Sequence, residues 1–282
     1  MSFSRDELRS AGRLGALIGG WVGATGLAVY AVLHYVDLGM IGGDAHAYWV
    51  AGRSSTPYLA PPGHADAFEY SPVFLQLVRP IARLPFPMFY GVWAAAELVA
   101  FAWMIRGVAW WWRVPVLLLC VPELCLANIN AFLGLVLVLG FRRPEVWAFA
   151  ALTKITPCGV GLVWMLVRRD PGAIARVIGT VLVLSAISYV AEPDLWRAWF
   201  TFLAHHGGGS SLDITVRLVV AAAAAAVLAL LDLRWPLPVP FILATPVFGF
   251  STNQCLAMVP PALALRRDPG PERKATEAEP HH

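Results

Sequence analysis

The chain has 282 residues, 58% hydrophobic and 14% charged, with 12 tryptophans and a formal net charge of +3. Globular chains carry about 25% charged residues, so the composition excludes a water-facing globule and points to an integral membrane protein. The small net charge gives no reason to expect a nucleic-acid partner.

Three arginines, Arg5, Arg9 and Arg13, precede an apolar run at 14–35. That run exceeds a signal-peptide core of ~7–15 residues and reaches the ~20 needed to span hydrocarbon. It is expected to be a first transmembrane helix with a cytoplasmic N-terminus. A polar island follows at 42–80. It opens with Gly42-Gly43-Asp44, continues through an aromatic amphipathic piece at 45–53 and a Pro/Gly/His loop, and re-enters at Phe68-Glu69-Tyr70-Ser71-Pro72. Loops of this length are seldom mere connectors, and this one is expected to be extracytoplasmic, carrying short amphipathic helices.

Further on, residues 71–84 are apolar but short, with Arg79 and Arg83 near the far end. Residues 86–105 span, interrupted by Glu97. Residues 115–140 contain Pro122, Glu123, Asn128 and Asn130, which predicts a broken helix or tight hairpin. Residues 146–167 contain Lys154 and Pro157; 177–190 and 214–231 are helical, the latter with Arg217 and the alanine run 221–226. Residues 235–265 carry no charge and predict two short helices meeting near 251–254. One integral membrane domain is expected over 1–265, with a disordered cytoplasmic tail at 266–282 rich in Pro, Glu, Lys and Arg. Cys120, Cys125, Cys158 and Cys255 lie in apolar surroundings without metal-ligand spacing, as small buried hydrophobes do. No metal or cofactor is expected.

The pairs Arg142-Arg143, Arg168-Arg169 and Arg266-Arg267, with Arg234, favour the cytoplasm. The apolar stretch between the first two pairs must then enter and return. Its halves are too short to cross, so residues 153–157 are expected at the tip of a broken hairpin, which membranes tolerate only when buried in protein or lining a cavity. The second polar island, 191–213, falls outside.

Ionisable residues within apolar segments are costly and usually functional. Glu97, Glu123, Lys154 and Arg217 are the four here; the polar islands add Asp44, His46, Arg53, His64, Glu69, His205 and His206. Each has a plainer role. Asp44 suits an N-cap, Arg217 can snorkel, Glu97 and Glu123 can pair with a neighbouring helix's cation, and the histidines can be solvated. Tyr48, Trp49, Tyr58 and Tyr70 fit an interfacial belt. Asn128 and Asn130 fit a cavity lining or interhelical hydrogen bonds.

The pattern Gly-Asp-x-x-x-Tyr with Ala51-Gly52, then Pro57-Tyr58, Phe68-x-Tyr70-x-Pro72 and Arg79-Pro80-(x)4-Pro85, resembles the opening of the family 87 glycosyltransferases. Asn128-x-Asn130, Thr153-Lys154-x-Thr156-Pro157 and Val216-Arg217 are similar to later parts of that family. The resemblance implies an all-α, polytopic transmembrane helical bundle of the GT-C type in the bacterial plasma membrane, with an extracytoplasmic active site. It implies inverting transfer of a sugar, mannose above all, from a polyprenyl-phosphate-sugar donor to a glycolipid or glycan acceptor. On it, Asp44 is the catalytic base and Lys154 and Arg217 hold the donor phosphate. His46, Tyr48, Arg53, Asn128, Asn130, His205 and His206 are candidate substrate contacts. Two other classes stay open: a non-catalytic protein that binds or translocates a polyprenyl-phosphate lipid, and a structural subunit of a larger complex.

Overall fold

The computed structural model describes residues 5–64, 66–206, 212–245 and 252–267. Among them every regular element is helical. Helix α1 (Arg5–Asp37) is followed by the short α2 (Gly43–Arg53) and α3 (Pro72–Ala82), then by α4 (Phe86–Met104). Two hairpins of short helices come next. In the first, α5 (Trp110–Leu119) and α6 (Val121–Leu126) rise and α7 (Asn130–Leu139) returns; in the second, a 3-10 turn (Pro144–Val146) and α8 (Trp147–Thr153) rise and α9 (Ile155–Val167) returns. Then come α10 (Pro171–Ala191), α11 (Pro193–His206) and α12 (Leu212–Leu230), and finally α13 (Pro238–Leu243), α14 (Thr252–Ala257) and α15 (Val259–Arg267). Among the described residues the last segment thus holds three short helices where two were predicted. The predicted meeting point at 251–254 lies partly outside the described residues, and Gln254 sits within α14.

Among the described residues four helices, α1, α4, α10 and α12, are long and apolar enough to cross a membrane. They point large apolar side chains outward: Val22, Leu33, Val99, Leu182, Val190 and Val219 are all more than half exposed. Inward they present small residues. Ala24, Ala28 and Ala31 of α1 are buried, and so are Ala221, Ala225 and Ala229 of α12. The fourfold spacing puts the α12 alanines on one stripe, which lets α12 pack closely on α9 as small-residue seams do in lipid.

The hairpins turn where the sequence breaks helices. Pro122 stands in the first turn of α6, where its missing N–H costs nothing. Ala127 takes φ 55 and ends α6, a left-handed conformation that the surrounding tertiary contacts must hold. Lys154, at φ −115 and ψ 89, separates α8 from α9. Helix α7 has 10 residues, α8 has 7 and α9 has 13, so at ~1.5 Å per residue they reach about 10–20 Å, short of a full span. Ion and ring contacts gather the arginine-rich ends on one face. Arg176 lies 3.9 Å from Glu145, and Arg234 stacks 5.1 Å from the Phe141 ring.

The opposite face carries α2 and α3. Helix α3 packs side by side with α2. Arg53 Nη1, at the end of α2, donates to the carbonyls of Ala82 (3.3 Å) and Arg83 (3.4 Å). A Cβ on Gly52 would stand 2.5 Å from that of Ala82, so only glycine permits this approach. The driving force is an aromatic core: Tyr48 of α2, Phe68, Phe74 of α3 and Phe89 of α4 are all 2% exposed or less. The Tyr48 ring lies edge-on to Phe74 and Tyr70, with centroids 5.5 and 5.4 Å away, a favoured aromatic geometry. Arg79 and Arg83 therefore share a face with Asp44.

Two smaller expectations change. Cys255 is exposed while the other three cysteines are buried. Arg266 and Arg267 close α15 and are helical; residues 268–282 of the expected tail lie outside the described residues. The placement of α3 is directly testable. Ser54→Cys and Arg83→Cys variants should both react with an impermeant maleimide added from one side of the membrane. Labelling from opposite sides would overturn that placement.

Candidate functional site

Three segments far apart in sequence meet where α2 begins and the two hairpins turn. Helix α2 starts at Gly43, with Gly42 as its N-cap at φ 73; a Cβ on Gly42 would stand 2.9 Å from Phe86. The expected capping role of Asp44 is thereby corrected. Asp44 sits inside the first turn and makes no cap hydrogen bond. Its Oδ2 instead accepts from Asn128 Nδ2 at 2.8 Å. The other end of the same amide, Asn128 Oδ1, accepts from Lys154 Nζ at 3.3 Å, Ile129 N at 2.7 Å and Tyr48 OH at 3.5 Å. One asparagine thus links the acid of α2 to the ammonium at the tip of the second hairpin.

A second asparagine completes the set. Asn130 Oδ1 accepts from Lys154 Nζ at 3.4 Å. Its backbone N–H and Nδ2 both donate to the Glu123 carboxylate, at 3.2 and 3.1 Å. Asp44, Asn128 and Lys154 keep partial exposure, whereas Asn130 and Glu123 beneath them are buried. The upper layer is reachable by a ligand and the lower layer braces it. Helices α2, α7 and α9 all begin at this cluster. Their N-terminal N–H groups and dipoles favour an anion there.

The remaining expected site residues are dispersed. His46 Nδ1 pairs with Asp66 Oδ1 at 2.6 Å and its ring lies edge-on to Phe86. Arg53 caps the end of α3 and stacks 5.0 Å from the Trp49 ring. Arg217 donates to Asp213 Oδ2 at 3.1 Å and to the carbonyls of Thr245 (3.0 Å) and Leu243 (3.4 Å). His205 and His206 close α11, their Nδ1 atoms on the Thr201 and Phe202 carbonyls at 2.7 and 3.1 Å. The expected interfacial belt is corrected for Tyr48, which is 2% exposed and bonds Tyr70 OH at 3.0 Å. Tyr58 is also buried, donating to the Tyr70 carbonyl at 3.0 Å. The expectation that Glu97 and Glu123 pair with a cation is corrected for both: Glu123 accepts from Asn130, with Lys154 on the far end of that amide, and the Glu97 carboxyl oxygens have no hydrogen-bond partner among the described residues.

A cavity of 620 Å³ opens beside the cluster, between the 55–59 segment and α11. Tyr58, Arg79, Glu192, Phe202, His205 and His206 contribute to its lining. Tyr58 joins it to the cluster through Tyr70, Tyr48 and Asn128. Glu69 lies within electrostatic range of both Lys154 and His206. The Arg79–Glu192 ion pair that walls the cavity joins residues 113 apart, and no sequence spacing points to it. Its one signal is an acid immediately after a long apolar run.

The model for glycosyltransferase family 87 matches residues 68–276. No curated protein and no solved structure matches. Asn128, Asn130, Lys154 and Arg217 lie within the matched segment; Asp44 precedes it and is joined to it by the Asn128 hydrogen bond.

Burial lifts the Asp44 carboxyl above its ordinary range, and the Asn128 amide and the Lys154 ammonium pull against that without cancelling it. A carboxylate is favoured by donors to its charged form, so deleting the amide must raise Asp44 further. In protein with 13C-labelled aspartate carboxyls, Asp44 should titrate above the ordinary aspartate range, and higher still in Asn128→Ala. An unshifted titration in that variant would remove the amide from the electrostatics of the site.

Proposed function

Because the chain belongs to glycosyltransferase family 87, we propose that it moves a sugar, mannose first among candidates, from a polyprenyl-phosphate-sugar to a glycolipid or glycan acceptor, with inversion, on the extracytoplasmic face of the bacterial plasma membrane. The observation that carries this reading is the Asn128 amide, which holds a carboxylate on one end and an ammonium on the other.

In this reading each group has a part. Asp44 accepts the proton of the acceptor hydroxyl as its oxygen attacks the anomeric carbon from the side opposite the phosphate. The bond from anomeric carbon to phosphate oxygen breaks, and the polyprenyl phosphate leaves with both electrons. That leaving group is already anionic, so it requires positive charge rather than a proton. Lys154 and the converging N-termini of α7 and α9 supply it, pre-oriented, in surroundings where such stabilisation is strong. One carboxylate is sufficient, in contrast to hydrolytic glycosidases with their flanking pair. Glu123 and Asn130 hold Lys154 in place from below. Arg217, already engaged with two carbonyls and Asp213, is given no direct part in this mechanism.

Two substitutions test the assignment, with polyprenyl-phosphate-mannose as donor. Asp44→Asn is nearly isosteric. It should lower turnover ~10²–10⁴-fold, the usual cost of a lost general base, with donor affinity little changed. Wild-type turnover would move the reading to the non-catalytic lipid-binding class. Lys154→Met removes the cation and keeps the length. It should weaken donor binding at least about tenfold, as expected for losing a charge-assisted hydrogen bond. Unchanged donor binding in the folded variant would return Lys154 to a purely structural role.

A further inference from the structure

A second recess, of 430 Å³, lies on the same face between the ends of α2 and α3, lined by Gly52, Arg53, Arg79 and Arg83. We propose that it binds the phosphate of an anionic membrane-lipid headgroup. Three arginines border it, and of the three only Arg79 has a carboxylate partner among the described residues, Glu192. The recess therefore carries an excess of two positive charges on the face opposite the arginine pairs, where a membrane chain ordinarily keeps few.

Its position fits a lipid. Arg83 stands three residues before the crossing helix α4, and Glu192 directly follows the crossing helix α10. Both mark the level at which helices leave hydrocarbon and enter the headgroup layer. Below Glu192, α10 exposes Ile187 and Val190, an apolar surface along which acyl chains can run. Arg53 is pre-oriented by the Ala82 and Arg83 carbonyls and by the Trp49 ring, and its planar fork suits phosphate oxygens. The recess is distinct from the Asp44–Lys154 cluster. Arg53 lies nine residues from Asp44 along α2, about 14 Å at the helical rise. The site does not depend on sugar transfer; it stands or falls on lipid binding alone.

The test is calorimetric titration of the full-length protein in a neutral maltoside detergent with dihexanoyl-phosphatidylglycerol. Saturable binding is expected, weakened about tenfold in Arg83→Gln by loss of a charge-assisted contact. Arg83→Lys, which keeps the charge and loses the fork, should fall between. Arg83 is exposed, so the lipid-free melting temperature should not move. Equal affinity of wild type and Arg83→Gln would overturn the proposal. So would equal affinity for dihexanoyl-phosphatidylcholine, which adds a repelled ammonium. Inorganic phosphate binding as tightly as the lipid would overturn the lipid assignment in favour of a free anion.

Discussion

An ammonium placed at the tip of a hairpin whose helices are each too short to cross a membrane is the constraint around which this protein is arranged. Lys154 sits where two apolar helices end, and a charge at such depth is tolerated only with partners. The partners come from elsewhere in the chain: the Asn128 and Asn130 carbonyl oxygens directly, and the Asp44 and Glu123 carboxylates one amide further out. To bring them there, the 110–139 segment must break into three helices and turn at Ala127 and Asn128. Residues 42–44 must also enter α2 through a left-handed glycine. The irregular backbone and the polar cluster thus satisfy each other, which is the condition for irregular backbone below a membrane surface.

The same arrangement separates the two charges a glycosyl transfer would use. A direct Asp44–Lys154 ion pair would neutralise both and cost any ligand the energy of breaking it. An intervening amide holds them apart in a fixed relation, each partly exposed on one side. Pre-set polarity of this kind reorganises little when a charged group arrives. The buried tyrosines extend the order outward. Tyr48 and Tyr70 share a hydrogen bond between hydroxyls, and Tyr58 carries the chain to the wall of the neighbouring cavity.

Much of this is legible in the sequence because membrane physics is strict. Apolar runs locate the four helices long enough to cross to within a few residues, apart from α1 and α10, whose N-terminal turns extend past the expected starts. The arginine pairs require residues 144–167 to enter and return, and charge and length alone then put Lys154 at a tip. The partnership of Asp44, Asn128 and Lys154 is foreshadowed only by residue type, since nothing local specifies which amide end meets which charge. The sequence misleads where a polar residue has a common local use. Asp44 after two glycines looks like a cap, yet the left-handed Gly42 takes the capping position and frees the carboxylate. Residues 71–84 read as an apolar stretch too short to span, with no indication of what they pack against. Their fold against α2 depends on Gly52 meeting Ala82 and on aromatic packing, which no periodicity displays.

The half-length helices also bear on how the protein is made. Helices α1, α4, α10 and α12 can each enter a bilayer alone, but α7, α8 and α9 cannot, because their ends would leave unpaired peptide groups in hydrocarbon at several kcal/mol each. The second hairpin packs against α10, and its returning helix α9 packs against α12. Both of those helices are synthesised after it. The hairpin that carries Lys154 can lean first on α3 and α7, made before it, but is fully enclosed only when α10 and α12 have followed, so the polar centre closes late in the assembly of the molecule.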